Sequence, residues 1–385
     1  MISRVCFLVN YNLYESKRHF TQKLMEALNR LNIETHLIDL QENPFEAETA
    51  LEIQEFAPDL TASFNSIQAL PSGKFLWDIL QIPHLSIIVD PIQYSMDLIK
   101  SPLSIITCVD RFDCEYVRKQ GFNNIFFWPH ATDKDLQIKG GEKPYDIVLI
   151  GSCYDYESMR NSWKERYSPK IQKALASASE MVLANRTMTL VDALTAALKE
   201  CRAEPSEYDF MTCFYDFDNC VRGFDRVNLV RAIKDYPVHI FGDMMSDDDR
   251  YQLDWRDYLS DKPNVTVHSG VPFATSLEVL QLSKICLNSV PSFKNGTHER
   301  IFNSLACGAL PLSSPSIYLE ECFKAGKEIA FYQHGYWDEL NATIDDILIH
   351  EKKRQTMVEA GRAKVMAEHT WDARARQLVE HLSKL

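Results

Sequence analysis

Short apolar, β-branched runs alternate with helical patterns along this chain, and they do so in two separate series. Such alternation is the signature of parallel βαβ units. In the first series Arg4 to Val9 reads as a strand. Ser16 to Leu31 then carries Phe20, Leu24, Leu28 and Leu31 at helical spacing, and Glu34 to Leu40 returns as a strand. Leu60 to Phe64, His84 to Val89, Ser104 to Val109 and Asn124 to Trp128 continue the strands, with helices at Thr49 to Phe56 and Phe75 to Leu80. Ala131 to Pro144 is polar, lacks periodicity and holds a Gly-Gly pair, the marks of a linker. A second series opens at Tyr145 to Ile150 and resumes at Val238 to Phe241, Val265 to His268, Ile285 to Asn288, Ala309 to Leu312 and Glu328 to Phe331.

Between the first two strands of that second series, residues 156–235 are mostly helical and read as an insertion. The expected architecture is α/β, with two doubly wound Rossmann-like domains facing a cleft. Residues 1–135 form the first domain and 145–370 the second, and 371–385 form a C-terminal helix that can pack back on the first. The cleft is the default place for a ligand in such a pair. Homodimerisation through 156–235 is a further reading of the insertion.

Composition narrows the function. The 385 residues, with 45% apolar and 25% charged, are enough for two ordinary globular domains. A formal charge of -13 opposes non-specific attraction to nucleic acid or anionic lipid, so no nucleic-acid partner is expected. No stretch approaches the roughly 20 apolar residues of a membrane span, and the apolar run at Val5 to Val9 is short for an export signal. A cytoplasmic protein is expected. Its ten cysteines show no C-x-x-C pair and read as reduced core residues, with no metal site expected at Cys213 and Cys220. Neither G-x-x-x-x-G-K-[ST] nor G-x-G-x-x-G follows a strand, which argues against P-loop NTPases and ordinary dinucleotide dehydrogenases. No redox cofactor is implied.

The densest polar cluster runs from Pro291 to Gly308, between a strand and an amphipathic helix. Asn295-Gly296 makes a turn, Thr297 can cap the helix, and Gly308 can end it in the left-handed conformation. A helix start at the carboxyl end of a strand gathers free N–H groups into an anion site. His298, Glu299 and Arg300 fall in its first turn. An arginine there opposes the helix dipole, so it wants an anion as its reason, and Arg300 could bind a diphosphate. Glu299 and Asn303, four apart, share a face and could reach ribose or sugar hydroxyls. The plainer alternative is that Glu299 and Arg300 pair with surface neighbours. Gly151-Ser152, after the first strand of the second domain, lets a backbone approach a phosphate or simply turns tightly.

The run from Ile285 to Tyr332, with Leu287-Asn288, Gly296-x-His298-Glu299-Arg300-Ile301-Phe302, Ala306-Cys307-Gly308-Ala309 and Phe323-x-x-Gly326-x-Glu328, resembles the C-terminal domain of GT-B glycosyltransferases. The CgeB-like, or spore-maturation-like, group is the nearest. Asp146 to Ser152, His239 to Gly242, Val267 to Gly270 and the ending His369-Thr370-Trp371 look like further parts of the same pattern. The resemblance implies a hexosyltransferase with no obligatory metal. Its donor is a nucleoside-diphosphate sugar, with a UDP-sugar as the first choice, and its acceptor a hydroxyl of a glycan, lipid-linked glycan or protein. It places Gly242 and Asp243 near the donor base, with an exposed loop acid as the plainer alternative for Asp243. Asn303 stands where many members have a ribose-gripping Glu, and Glu299 one turn earlier could substitute.

For proton removal from the acceptor, strand ends of the first domain offer Asp90 after Val89 and His130 after Trp128-Pro129, and Glu299 is a third candidate. Asp90 could equally serve as a turn acid before Pro91, and His130 as a packed boundary histidine. Two other functions fit the same pattern. One is a nucleotide-sugar epimerase or hydrolase, and the other is a catalytically weakened glycan-binding or partner subunit.

Overall fold

The structure, a computed structural model, describes residues 2–10, 12, 14–40, 47–243 and 255–384. The chain divides into two units. Met1–Leu136, Pro272–Ala274 and Lys364–Leu385 form one, and Gln137–Val271 with Thr275–Ala363 forms the other.

The first unit is built on β1 (Arg4–Val9), β2 (Glu34–Asp39), β3 (Leu60–Phe64), β4 (His84–Ile88), β5 (Ser104–Cys108) and β6 (Ile125–Phe127). They stand in the order β2-β1-β3-β4-β5-β6, every neighbouring pair parallel. β3 and β4 are buried at every position, because helices cover both faces of a parallel sheet and leave no polar side. The Ser16–Asn29 helix turns Phe20, Leu24, Ala27 and Leu28 inward. The last helix, Trp371–Leu382, belongs to this unit. Its Trp371 ring lies 5.5 Å from Phe20 and 5.8 Å from Phe64, and Arg30 grips Asp372 through two hydrogen bonds of 2.7 and 2.6 Å.

The second unit repeats the plan with β7 (Tyr145–Ile150), β8 (Val238–Asp243), β9 (Val265–Ser269), β10 (Ser283–Asn288), β11 (Leu310–Ser313) and β12 (Ala330–Phe331). Their order is β12-β11-β10-β7-β8-β9, again all parallel. The chain winds one way from β7 and the other way from β10, so the order reverses between these two strands. A ligand in such a sheet binds outside the carboxyl ends at that reversal. β12 begins at Ala330 rather than Glu328, because Gly326 N–H already donates to Ile329 O and Glu328 folds back to accept from Lys324 N.

Four helices fill the interval between β7 and β8: Tyr156–Arg166, Pro169–Ala184, Leu190–Glu200 and Phe210–Ala232. Asp155, Ser168, Thr189 and Asp209 cap them by accepting a backbone N–H, which is why each starts where it does. Their apolar stripes, with Trp163, Ile171, Leu175, Leu194, Phe214 and Phe217, close over a core of their own. The acid-rich start of the last helix is satisfied internally. Asp216 accepts from Tyr167 Oη and pairs with Arg166, and Asp218 pairs with Arg222. Eight of the ten free cysteines are buried, as core residues would be. Among the described residues no helix is long and apolar enough to cross a membrane.

Candidate functional site

At the carboxyl end of β7 the backbone itself makes the floor of the site. Gly151 N–H donates to Phe241 O at 3.0 Å, and the Trp255 indole N–H donates to Gly151 O at 3.0 Å. A Cβ on Gly151 would stand 3.5 Å from Arg226 Nη1 and 3.6 Å from Arg300 Nη2. Two guanidinium groups therefore converge over one glycine, at the point where the strand order reverses.

Each is held by neutral partners. Arg226, on the Phe210–Ala232 helix, donates from Nη1 to Ser152 O at 3.0 Å and lies 5.1 Å over the Tyr154 ring. Arg300 donates from Nη1 to Asn288 Oδ1 at 3.1 Å, and Asn288 is turned by its own Nδ2 bond to Ser313 Oγ at 2.8 Å. Among the described residues neither arginine forms an ion pair with a carboxylate. Burial pushes Arg226 below its ordinary value, and the charges of Arg300 and Arg222 add to this against Tyr154 and Asp225. Burial alone would raise the Tyr154 phenol, yet Arg222 and Arg226 draw it below its usual range. Two guanidinium groups brought together with no carboxylate paired directly to either suit an anion with more than one negative charge.

The Glu299–Cys307 helix delivers Arg300. Its cap is His298 and not Thr297, because the His298 ring accepts from Arg300 N, while Thr297 sits one residue outside and donates its hydroxyl to His298 O. Burial and then the Arg300 charge push His298 below its ordinary value, toward the neutral ring that can accept. Glu299 contacts the same ring. Asn303 is buried on the same helix. Gly308 ends it at φ 87°, as a left-handed terminus should. The preceding loop is pinned at both ends. Ser316 Oγ donates to Gly296 O at 2.6 Å, and buried Lys294, beside Asn295, donates to Val182 O at 2.8 Å and Asn185 O at 3.0 Å.

The fold thus gathers Gly151, Ser152, Gly242 and Arg300 around one point, and Asp243 follows as the last residue of β8, paired with Ser269 across a register shift. Sequence reasoning missed Arg226 and Asn288 as site residues. Gly223 was the available signal for the first, since a Cβ there would meet Tyr154 O at 2.6 Å and so marks where this helix touches the turn after β7.

Asp90 and His130 belong to the first unit. Asp90 is exposed, and its Oδ2 accepts from Asn65 Nδ2 at 2.8 Å. Asn65 follows β3 at φ 61° and also accepts from Val89 N at 3.0 Å. Lys17 lies near enough to Asp90 to feel its charge, although burial pushes the ammonium below its ordinary value. His130 is 3% exposed and sets its ring edge-on to Phe20 at 6.0 Å.

A cavity of about 880 Å³ lies at the opposite, amino ends of β7 and β10, lined by Lys143, Lys284 and Arg354 among others. Three of its four cations, all but Lys139, are already engaged. Lys143 donates to Gln281 O and Ser283 O at 2.9 Å, Lys284 pairs with Asp146, and Arg354 donates to Ile347 O. The arginine pair at Gly151, which no carboxylate contacts directly, is the stronger candidate.

Comparison with known proteins agrees in fold. Residues 226–380 match a family model described as glycosyl transferase-like. No curated protein matches the chain in sequence. Among solved structures, HepE of Anabaena in complex with UDP-glucose is similar at TM-score 0.61 and 11% identity, covering 99% of this chain and 100% of that one. Sucrose-phosphate synthase of Thermosynechococcus elongatus is similar at TM-score 0.60 and 12% identity, with 99% and 98% covered. A glycosyltransferase of Rickettsia africae follows at TM-score 0.56 and 11% identity, with 100% and 98% covered. The two-sheet α/β architecture is that of the GT-B glycosyltransferases.

Proposed function

We propose that this protein is a metal-independent cytoplasmic glycosyltransferase of the CgeB-like type. It moves a sugar from a nucleoside diphosphate, a UDP-sugar first among them, to a hydroxyl of a glycan, lipid-linked glycan or protein. The observation that carries this reading is the convergence of Arg226 and Arg300 on Gly151 at the reversal of the second sheet. When the bond between the sugar's anomeric carbon and the diphosphate breaks, the carbon gains oxocarbenium character and the leaving oxygens gain negative charge. Two fixed guanidinium groups beside a helix N-terminus stabilise that charge more than they stabilise the intact donor. Gly151 leaves room for the phosphates beside the two guanidinium groups, and Gly242 lets the Gly151 backbone approach closely enough to hold that turn. Glu299 and Asn303 reach hydroxyls from the Arg300 helix, and Asp90, steadied by Asn65, is the proposed base for the acceptor.

Calorimetric titration with UDP, GDP, dTDP, CMP and ADP tests the reading. One nucleoside diphosphate should bind, and Arg300→Ala should weaken it by about 10- to 100-fold while the matching nucleoside is unaffected. Equal loss for both, or no binding of any of the five, overturns it. Asn303 in place of an acid is the observation that favours the weakened-subunit reading, which binding without transfer to any acceptor would support. Consumption of the donor with no acceptor present would favour an epimerase or hydrolase.

A further inference from the structure

Beside the arginine pair lies a polar cluster to which the reading above gives no role. Asp225 precedes Arg226 on the Phe210–Ala232 helix, and its carboxylate is 2% exposed. Its Oδ2 accepts from Ser289 Oγ at 2.5 Å and its Oδ1 lies 2.6 Å from His334 Nδ1. Ser289 follows Asn288, the partner of Arg300, so one end of the cluster is the next residue along from the site. Tyr332, buried at the end of β12, is raised well above the ordinary tyrosine range by burial and then by the Asp225 charge, and the Arg226 charge reaches it too. The cluster and the arginine pair are therefore electrostatic neighbours.

Its connectivity tells what it can do. Serine and histidine both bind the one carboxylate rather than each other, so this is no nucleophile with its base. A carboxylate only accepts, so Nδ1 of His334 carries the hydrogen, and a ring with one proton keeps its lone pair on Nε2, the far side from Asp225. Phe224 packs tilted against the ring at 6.0 Å and Trp337 edge-on at 5.0 Å, and the side chain remains 22% exposed. An oriented acceptor on a part-exposed ring suits a hydroxyl donor.

We infer that His334, set by Asp225, is a hydroxyl-recognising residue of the nucleotide-sugar site, accepting through Nε2 from a ribose or sugar hydroxyl of the bound donor. Asp225 is then a positioning residue. The inference rests on the proposed function, and its failure can be told apart from failure of that reading. Proton-detected ¹⁵N spectra of the ligand-free protein should show His334 as the Nδ1–H tautomer, and Asp225→Asn, whose amide can donate, should shift the ring toward Nε2–H. UDP and UDP-glucose are the binding probes. His334→Phe should weaken UDP-glucose by about five- to tenfold, and His334→Gln, whose amide oxygen can accept, should recover most of the loss. Asp225→Asn should weaken it as His334→Phe does, with the fold intact by circular dichroism.

Loss for both probes assigns the ribose, and loss for UDP-glucose alone assigns the sugar. If wild type binds neither probe nor any other nucleoside diphosphate, the proposed function falls and takes this inference with it. If Arg300→Ala weakens binding as expected above while His334→Phe and Asp225→Asn leave it unchanged, only this inference is overturned. An Nε2–H tautomer in the wild type would overturn it as well.

Discussion

A Cβ placed on Gly242 would stand 2.0 Å from the carbonyl oxygen of Gly151, so the ends of β7 and β8 meet backbone to backbone. This contact fixes the turn over which Arg226 and Arg300 converge, and the Trp255 indole bond to the same carbonyl leaves it no direction in which to yield. Gly242→Ala should therefore destabilise the protein by about 2 to 3 kcal/mol and abolish nucleotide binding, because overpacking against backbone cannot relax through a rotamer. Gly140 is the control, since a Cβ there meets nothing within 4 Å. Thermal unfolding should separate the two alanine variants by several degrees. Equal midpoints would show that the strand ends can part without loss.

Arg226 is the site residue whose removal should harm binding more than folding. Its guanidinium is held below its ordinary value by burial and by Arg300, so in the free protein it contributes repulsion along with its bond to Ser152 O. Arg226→Ala should hold the ligand-free unfolding midpoint within about 2 °C of wild type, yet weaken a nucleoside diphosphate by about 10- to 100-fold. Uridine should bind both proteins alike. A large fall in the ligand-free midpoint would instead assign Arg226 to the packing of its helix.

The difference between Arg300 and Arg226 shows what local sequence can carry. Arg300 stands in a first helical turn, where its charge opposes the dipole, so its oddity is readable within four residues. Arg226 sits deep in a helix of 23 residues, where an arginine is ordinary, and acquires its role only when the fold brings Gly151 to it. The strands were legible for a related reason: β1 runs apolar from Val5 to Val9 because both faces are covered, which is a local consequence of a global arrangement. Their order was not, since nothing in a strand's own residues names its neighbour. The cap at His298 was missed because hydroxyl side chains usually do this work, and here an imidazole nitrogen does it.

Lys294 ties the loop before the Arg300 helix to the carbonyls at the end of the Pro169–Ala184 helix. A cation there is also favoured by the negative end of the helix dipole. Lys294→Met keeps the apolar stem and removes the donors, so two buried carbonyls lose a charged partner. The expected cost is about 2 kcal/mol in urea unfolding, with weaker nucleotide binding as the loop loosens. An unchanged midpoint would mean that those carbonyls find other donors.

Acid should weaken the first unit through its buried histidines. His84, between Thr61 and Ser63 hydroxyls and stacked 4.0 Å from Trp77, is pushed by burial from 6.5 to about 3. His369, whose Nδ1 accepts from Arg374 at 2.8 Å, is pushed to about 3 by burial and then by the charges of Arg374 and Lys364. An unfolded imidazole takes up its proton as pH falls through 6.5, whereas these two resist until about 3. Between those values the unfolded chain binds more protons, so stability falls with pH, and each histidine adds up to about 1.4 kcal/mol per pH unit. Urea unfolding at pH 7, 6, 5 and 4 should show this slope on top of that from the carboxylates. His84→Gln lowers stability at pH 7, because Thr61 and Ser63 lose their ring partner, but it should remove one histidine's share of the slope. Parallel pH profiles for the variant and the wild type would show that the folded protein protonates His84 readily, and that its burial does not keep the ring neutral.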